Sequence, residues 1–437
     1  MPIPNGGATP SSLGASGPAP SRRAESKGSA YSLPAGLSGS RITPGSWAVA
    51  PAGTTTSSAT PRLSAVWVSV PALRLLSMAA MLAVFATGLA APVADAATPS
   101  RKKSIWGPVE RKGKSQFPIY RDLGAGILQM GLNWSAVAPT RPINPKNPDD
   151  PAYSWPAEID RAVAAARRNR MKVSLLVTQA PPWANGGRDS RWAPRKPRDF
   201  AHFVKAAERR WPRVNHWMIW GEPSRREMFK PLRHERRGKP LRGKEKKGPR
   251  KYAAILDAAY GALKRESKRN RVIGGNTFTT GDVSPRNFIK NMRFGKKDRR
   301  PRLDLYGHNP FTARKPDLSK PPLGHGFADF SDLDTLARWV DRHLGRRGNR
   351  HPKLFLSEWF LPTDHPNHEF NFYVKRKTAK QWLRAALRIT RRKKRIYTLG
   401  WYALYDDPRR ADGQQVERGL LTRKGRKKPA YRAFKRG

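Results

Sequence analysis

Two glutamates each follow a short apolar run, a position at which a folded chain can hold an acid at the edge of its core. Glu222 ends the stretch WMIWGE (217–222), and Glu358 ends the stretch LFLSE (354–358). Two carboxylates that converge on one face can divide a bond cleavage between them, one as a protonated acid and the other as an ionised nucleophile or base. Cleavage of a glycosidic bond requires such a pair.

Aromatic and polar side chains near these and similar runs are candidates for contacts with a sugar. Tryptophan offers a flat apolar face on which a sugar ring can stack, and asparagine and histidine can hydrogen-bond hydroxyl groups. The candidate substrate-binding residues are Trp183, His308, Asn309, Trp359, Trp401 and Asn133.

The elements that must position these residues alternate between short apolar runs and amphipathic segments from residue 101 onward, the pattern of an α/β protein. In the segment 157–169, Ile159, Ala162, Val163 and Ala166 recur at helical spacing. The predicted strands are 104–107, 127–134, 172–178, 215–220, 271–276, 303–309, 353–359 and 396–404. The predicted helices are 117–126, 157–169, 199–210, 251–267, 284–292, 332–344, 378–391 and 428–436.

Eight strand–helix units predict that residues 101–437 form a closed (β/α)8 barrel, the TIM barrel. The structural alternative is an open doubly wound sheet, which usually has a glycine-rich phosphate-binding loop after an early strand. The only candidate for that loop, Gly124-Ala125-Gly126, precedes a strand. Catalytic groups of a barrel lie at the C-terminal ends of its strands, so Glu222 after strand four and Glu358 in strand seven are expected to share one face.

The sequence around both glutamates resembles clan A of the glycoside hydrolases. WMIWGEP is similar to the W-x-E-P block of that clan, LFLSEW to its nucleophile strand, and 419–434 to the closing stretch of family 39-type and cellulase-type members. The resemblance covers roughly residues 104–435. It implies that Glu222 is the general acid/base and Glu358 the nucleophile, with net retention of configuration. His308, Trp183 and Trp401 match pocket positions of the family more loosely.

One residue departs from the clan pattern. Most members have asparagine just before the acid/base, where it hydrogen-bonds the sugar 2-hydroxyl in the transition state, and this chain has Gly221. Such bonds contribute several kcal/mol, so their loss is expected to matter. Three interpretations stay open: Asn309 or Asn133 supplies the bond, the substrate differs at that carbon, or the protein binds sugar without efficient hydrolysis.

The chain carries a formal net charge of +54, from 86 lysines and arginines against 32 acidic residues. Such a charge attracts any polyanion, or else it is mostly a solvated surface. Specific nucleic-acid binding is not expected, because no helix-turn-helix, RNA-binding or zinc module is recognisable. The absence of cysteine excludes disulfides and thiolate metal sites.

Two charged segments are candidate accessory sites. Residues 225–251 contain 13 lysines and arginines and three glutamates. This segment follows strand four on the expected active face, so it could hold an acidic polysaccharide; the alternative is a solvated insertion. The segment DHPNHE (364–369) has ligand types that bind metals but no sharp motif, and a polar rim is the favoured interpretation. We expect no metal and no cofactor.

The first hundred residues predict a different organisation from the rest. Residues 1–73 are low-complexity and rich in Pro, Gly, Ser, Ala and Thr, so they are expected to be disordered or to reflect a mis-assigned start. Residues 74–97 have a basic start, an apolar run and a small-x-small pattern, as in a secretory signal peptide. The alternative is an uncleaved membrane anchor spanning 75–94.

These patterns together predict a secreted retaining glycoside hydrolase, extracellular or associated with the cell envelope, that cleaves a β-linked oligo- or polysaccharide. The alternative is a barrel that binds glycans or the cell wall with little or no turnover. Gly221 favours the alternative, and the presence of both glutamates favours the enzyme.

Overall fold

A computed structural model describes residues 98–367, 370 and 372–437. Eight parallel strands form a closed barrel in which each strand pairs with its neighbours in the sequence and the first pairs with the last. The strands are β1 (Ser100–Trp106), β2 (Ala125–Asn133), β3 (Lys172–Thr178), β4 (His216–Ile219), β5 (Arg271–Phe278), β6 (Leu305–Asn309), β7 (Lys353–Trp359) and β8 (Ile396–Tyr402).

A helix follows each strand before the next strand begins, or before the described chain ends. The helices are α1 (Phe117–Asp122), α2 (Ala157–Arg168), α3 (Pro197–Arg210), α4 (Lys247–Glu266), α5 (Pro285–Asn291), α6 (Leu333–Leu344), α7 (Arg376–Arg392) and α8 (Pro429–Arg436). In α2, Glu158 and Asp160 lie in the first turn and Arg167 and Arg168 in the last, so the charges complement the helix dipole.

The strands separate two apolar cores. The smaller core fills the barrel interior and consists of Ile127, Met218, Ile273, Leu305, Phe355 and Tyr397. The larger core lies between the strands and the helices. Because side chains alternate between two buried faces, a barrel strand is a continuous apolar run in sequence.

The predicted barrel is confirmed, although most element boundaries differ from the predicted ones by one to four residues. Strand β2 begins at Ala125, inside the predicted first helix, because α1 already ends at Asp122. A Cβ atom at Gly126 would lie 2.5 Å from the carbonyl carbon of Ser100, so only glycine lets β1 and β2 approach here. Trp134, predicted as the end of the second strand, instead begins the one-turn helix Trp134–Val137.

The basic segment 225–251 is packed onto the barrel, which excludes a fully solvated insertion. Phe229, Leu232 and Leu241 are buried, and a short 3-10 helix (Gly243–Lys246) leads directly into α4. The carboxylate of Glu235 is also buried and accepts hydrogen bonds from Asn287 (2.8 Å) and Ser284 (3.2 Å). The side chains that remain exposed are therefore fixed to a structured surface.

The predicted segments 1–73 and 74–97 lie outside the described residues. Within the part of the chain that the structure describes, no helix is both long and apolar enough to cross a membrane.

Candidate active site

Glu222 lies in a tight turn directly after β4, and its backbone is unusual on both sides of Gly221. Trp220 has φ +61° and Glu222 has φ +42°, in the left-handed region that residues with a Cβ atom rarely adopt. Gly221 itself lies outside that region. The left-handed residues of this turn are therefore Trp220 and Glu222, on either side of the glycine.

Two buried side chains hold the backbone of this turn. The hydroxyl of Tyr252 on α4 donates to the carbonyl of Ile219 (2.8 Å). The amide of Asn276 on β5 donates to the carbonyl of Trp220 (2.7 Å). Both bonds satisfy backbone carbonyls at the end of β4, so they fix the direction of the chain where it reaches Glu222.

Asn309, the last residue of β6, joins the two glutamates through one buried amide. Its Nδ2 donates to Oε1 of Glu222 (2.8 Å), and its Oδ1 accepts from the backbone N–H of Glu358 (3.2 Å). The hydroxyl of Ser357 also donates to Oδ1 (2.6 Å). Because Asn309 is only 2% exposed, water does not compete well for these bonds, and the amide sets the position of both acids.

The strand end that carries Glu358 is held from the opposite side of the barrel. The carbonyl of Ser357 accepts from the indole N–H of Trp106 (2.9 Å) and from the amide of Gln129 (2.8 Å). Glu358 is half-buried, whereas Trp359 beside it is fully buried. The carboxylate of Glu358 is thus presented at the barrel mouth by a backbone fixed from β1, β2 and β6.

Arg225, which the sequence analysis did not single out, lies against Glu222. Its Nη1 donates to Oε2 of Glu222 (2.7 Å) and its Nη2 to Oε2 of Glu227 (3.1 Å). The guanidinium also stacks over the ring of Phe278, 4.8 Å from its centre. The pairing of Glu222 with an arginine gives no periodic signal in the sequence, although the spacing of three residues permits it.

His308 does not reach the barrel mouth. It is fully buried, and its Nε2 lies 2.9 Å from the carbonyl of Ala328, so Nε2 carries the proton and donates. Nδ1 then accepts from the hydroxyl of Thr277 (2.9 Å). Burial lowers the pKa of His308 to about 4, so the imidazole is neutral at pH 7. In this structure His308 supports the core between β5 and β6.

Trp359 and Trp401 are part of the outer core. They are 0% and 1% exposed, and their rings meet edge to face with centres 5.7 Å apart. The indole N–H of Trp401 donates to the carbonyl of Arg418 (3.1 Å). A sugar ring needs an exposed indole face, so neither residue offers the stacking surface that was expected of it.

Asn133 is the last residue of β2, and Trp183 lies in a one-turn helix (Pro182–Asn185) after β3; both are on the same side of the barrel as the glutamates. Trp183 is half-buried, and its indole N–H donates to the carbonyl of Ala138 (2.9 Å). Asn133 is exposed, and its side-chain oxygen accepts from the N–H of Ala136 (3.1 Å), which caps a one-turn helix. Their contact with substrate stays a prediction.

Other aromatic residues line the mouth where Trp359 and Trp401 do not. Trp106 and Tyr402 are half-buried at the ends of β1 and β8, which pair directly, and their rings lie 5.9 Å apart. On the far side, half-buried Phe278 and Phe311 lie 5.3 Å apart at the ends of β5 and β6. Their position at strand ends was the available signal, but sequence alone does not say which of two adjacent aromatics faces the mouth.

The segment 364–369 is only partly described, since His368 and Glu369 lie outside the described residues. Among the residues that are described, no group of three histidine or acidic side chains could hold a metal ion.

The comparisons with known proteins support the fold. No protein-family model and no curated protein matches the sequence. Among solved structures, the barrel is similar to those of glycoside hydrolases. One is a family 39 glycoside hydrolase from the gut symbiont Bacteroides cellulosilyticus WH2, with TM-score 0.55 and 17% identity over 77% of this chain and 63% of that one. Another is a glucosidase from Croceicoccus marinus, with TM-score 0.53 and 14% identity over 78% of this chain and 66% of that one.

This chain spans a little under two thirds of the length of each of these two proteins. At such low sequence identity, the similarity to these two structures shows a shared fold and no more. The resemblance to family 39 barrels expected from the sequence is confirmed at that level.

Proposed function

We propose that this protein is a retaining glycoside hydrolase that cleaves β-linked glycans outside the cytoplasm. One observation carries the proposal: the buried amide of Asn309 donates to the carboxylate of Glu222 after β4 and accepts from the backbone N–H of Glu358 at the end of β7. Two acids fixed relative to each other at the reactive face of a barrel are what the double-displacement reaction needs.

In the first step of this mechanism, the carboxylate of Glu358 attacks the anomeric carbon while Glu222 donates a proton to the departing glycosidic oxygen. The bond from carbon to the leaving oxygen breaks, and a bond to Glu358 forms. In the second step, Glu222 takes a proton from water, and the resulting hydroxide displaces Glu358 from the anomeric carbon. Two inversions give net retention.

The test compares Glu358→Gln and Glu222→Gln with wild type on a panel of aryl β-glycosides. We expect wild type to release the β-anomer as the first product seen by NMR, and Glu358→Gln to lose activity on every substrate that wild type cleaves. Glu266→Gln is a matched control, because Glu266 ends α4 at the opposite end of the barrel. If wild type and Glu358→Gln are equally inert while glycan binding persists, the protein is a binding barrel.

The position of Gly221 bears on this test. A Cβ atom there would lie 3.3 Å from a methyl of Leu176, a tight contact that requires a small shift of the leucine, and 3.7 Å from a methyl of Thr178, an ordinary contact. Gly221 itself has no side chain that could hydrogen-bond a sugar 2-hydroxyl. This absence supports the interpretation that the substrate differs from the usual one near the 2-hydroxyl.

We further propose that the basic segment 225–251 binds an acidic polysaccharide. Lys244, Lys246 and Lys247 are exposed at the start of α4 and, with Arg250 and Lys251, line a groove of about 700 Å³. The dipole of α4 adds to the positive potential at its N-terminal end. The groove lies at the N-terminal end of α4, which in this barrel is the end nearer the strand C-termini.

The matched control for this groove removes the same charge elsewhere. The triple variant Lys244→Gln/Lys246→Gln/Lys247→Gln is compared with Arg384→Gln/Arg388→Gln/Arg392→Gln, three exposed arginines on α7. Binding to polygalacturonate is expected to fall at least tenfold more in the groove variant, with dextran as the neutral reference. Equal losses in both variants would show that net charge alone attracts the polymer.

A further inference from the structure

The loop after β3, residues 179–196, has a fixed shape on the reactive face of the barrel. The N–H of Ala180 donates to the carbonyl of Ser190 (2.8 Å), which closes the loop. Asn185 lies inside the loop and is 3% exposed. Its amide donates to the carbonyl of Ala180 (3.2 Å), and its side-chain oxygen accepts from the backbone N–H of Arg188 (2.8 Å). A buried side chain therefore fixes the backbone that carries Arg188.

The guanidinium of Arg188 lies over the indole of Trp192, 4.1 Å from the ring centre. Trp192 is half-buried, and it forms a β-bridge with Lys230 of the basic segment, so the ring itself is held in place. An arginine that stacks on a fixed ring has lost much of its rotamer freedom before a ligand arrives, so binding a ligand costs less conformational entropy. Arg188 is thus a pre-organised cation on a rigid loop.

The acid next to Arg188 in the sequence is bonded to other cations. Oδ1 of Asp189 accepts from Nε of Arg191 (2.8 Å), and Oδ2 accepts from Nζ of Lys230 (3.1 Å). Arg188 is exposed, and among the residues that the structure describes no acidic side chain lies within ion-pair distance of its guanidinium. The planar fork of Arg188 can therefore donate two parallel hydrogen bonds to a carboxylate or a sulfate from outside the chain.

Arg141, in the loop after β2, repeats this arrangement. It is exposed, and its guanidinium lies 5.4 Å from the ring centre of Trp183, which belongs to the loop 179–196. The N–H of Ser135 donates to the carbonyl of Gln179 (3.0 Å), so the two loops are joined where they leave the strands. Two cations held over tryptophans of one loop fit a ligand with repeated anionic groups better than a single small anion.

The same loop also borders the basic groove at the start of α4. Nζ of Lys251, which lines the groove, donates to the carbonyl of Arg195 (2.7 Å). Pro197, directly after the loop, lines the groove as well. On its other side the loop follows β3, which pairs with β4, the strand that leads to Glu222. A polymer held in the groove can therefore continue along this loop toward the proposed acid.

We propose that Arg188 over Trp192 and Arg141 over Trp183 form a subsite for the anionic groups of an acidic polysaccharide. This inference rests on the proposed function and deepens it, because it adds a contact region that lies outside the basic segment 225–251. The chemistry that the subsite recognises is an oxyanion on a sugar unit, either the carboxylate of a uronic acid or a sulfate ester.

The experiment measures binding by calorimetric titration in the Glu358→Gln protein, so that turnover does not interfere. The ligands are oligomers of equal length: galacturonate, sulfated dextran and neutral dextran. The two anionic ligands distinguish carboxylate from sulfate. Adding Arg141→Gln/Arg188→Gln is expected to weaken binding of at least one anionic oligomer by about 10-fold or more, the effect of losing charge-assisted hydrogen bonds, and to leave the neutral oligomer unaffected.

The matched control is Arg167→Gln/Arg168→Gln, which removes the same charge from two exposed arginines in the last turn of α2, at the opposite end of the barrel. It is expected to keep anionic binding within threefold of the parent protein. Equal losses in the two double variants would show that net charge alone attracts the polymer, and the subsite would be refuted.

Trp192→Leu tests the stacking itself, because it keeps the charge of Arg188 and removes the ring that holds it. Anionic binding is expected to weaken by about three- to 10-fold, with circular dichroism to show that the variant is folded. If this variant binds as tightly as the parent protein, the indole does not hold the arginine and the stacked subsite is wrong.

These measurements separate the subsite from the functions proposed above. Because binding is measured without turnover, a wild-type protein that hydrolyses nothing leaves the result for Arg141 and Arg188 intact. A loss confined to the groove variant Lys244→Gln/Lys246→Gln/Lys247→Gln refutes the subsite and keeps the groove. A loss confined to Arg141→Gln/Arg188→Gln supports the subsite and refutes the groove.

Discussion

Replacing Asn309 with aspartate tests whether its amide positions Glu222. Asn309→Asp keeps the shape of the side chain and the oxygen that accepts from Ser357 and Glu358. It changes only Nδ2, the donor that lies 2.8 Å from Oε1 of Glu222, into an oxygen. The variant therefore removes one contact of Glu222 and leaves the contacts on the side of Glu358 in place.

The size of the effect follows from the kind of bond that is lost. A hydrogen bond to a charged group contributes about 1.5–3 kcal/mol, which corresponds to a factor of about 10 to 150 in rate. If the new aspartate is ionised, repulsion between the two carboxylates adds to this loss. We expect kcat to fall by that factor and KM to change little, because the amide holds the acid rather than the sugar.

The assay is steady-state hydrolysis of the best aryl β-glycoside, with circular dichroism to show that the variant is folded. Ser357→Ala is the companion variant: it removes the 2.6 Å hydroxyl contact to Oδ1 but leaves Nδ2 on Glu222, so a loss below tenfold is expected. If Asn309→Asp stays within threefold of wild type while Glu222→Gln abolishes turnover, the positioning argument is wrong.

Four further predictions concern stability. Gly221→Asn should change the free energy of unfolding by no more than about 1 kcal/mol, since φ is ordinary there. Gly275 has φ +99°, and an added Cβ atom there would lie 2.5 Å from the ring of Tyr306. Gly275→Ala should therefore lower the free energy of unfolding by about 3 kcal/mol. Equal effects of Gly221→Asn and Gly275→Ala in urea unfolding would contradict this expectation. The pKa of His308 is lowered to about 4, so below pH 6.5 the unfolded chain binds a proton that the folded chain does not. Stability should therefore fall by up to about 3 kcal/mol between pH 6.5 and 4, and His308→Gln should flatten that slope in unfolding titrations. Lys428→Met breaks a buried ion pair with Asp406 (2.8 Å, both side chains 3% exposed) and should cost about 3–5 kcal/mol by chemical denaturation. The double variant Lys428→Met/Asp406→Leu is expected to recover part of the lost stability, because it leaves no unpaired buried charge. If Lys428→Met alone does not change the free energy of unfolding, the buried ion pair does not contribute as expected.

The sequence predicted the barrel because each strand is buried on both faces and so gives an apolar run of strand length. The same property hid which aromatic residues face the mouth. Trp401 and Tyr402 are neighbours on β8, and period-two alternation cannot orient them when both directions are apolar. The pairing register between β7 and β8 also shifts between Leu399 and Trp401. Trp401 accordingly lies in the outer core and Tyr402 at the mouth.

The two glutamates were predictable from their place after strand four and in strand seven, but their partners were not. Asn309 was proposed as a contact for sugar, and the structure places its amide on Glu222 instead. Arg225 was counted only as one charge of a basic segment. Contacts between residues as distant in sequence as Asn309 and Glu222 depend on the closure of the barrel, which a local pattern does not encode.

The left-handed backbone at Trp220 and Glu222 implies a trade-off between stability and activity. A residue with a Cβ atom in that conformation costs of order 1–3 kcal/mol, and this turn contains two of them. Glycine at position 222 would relieve part of that strain. We expect that variant to be more stable and to lack the proposed acid, so the strained conformation of Glu222 is consistent with a site in which stability is given up for activity.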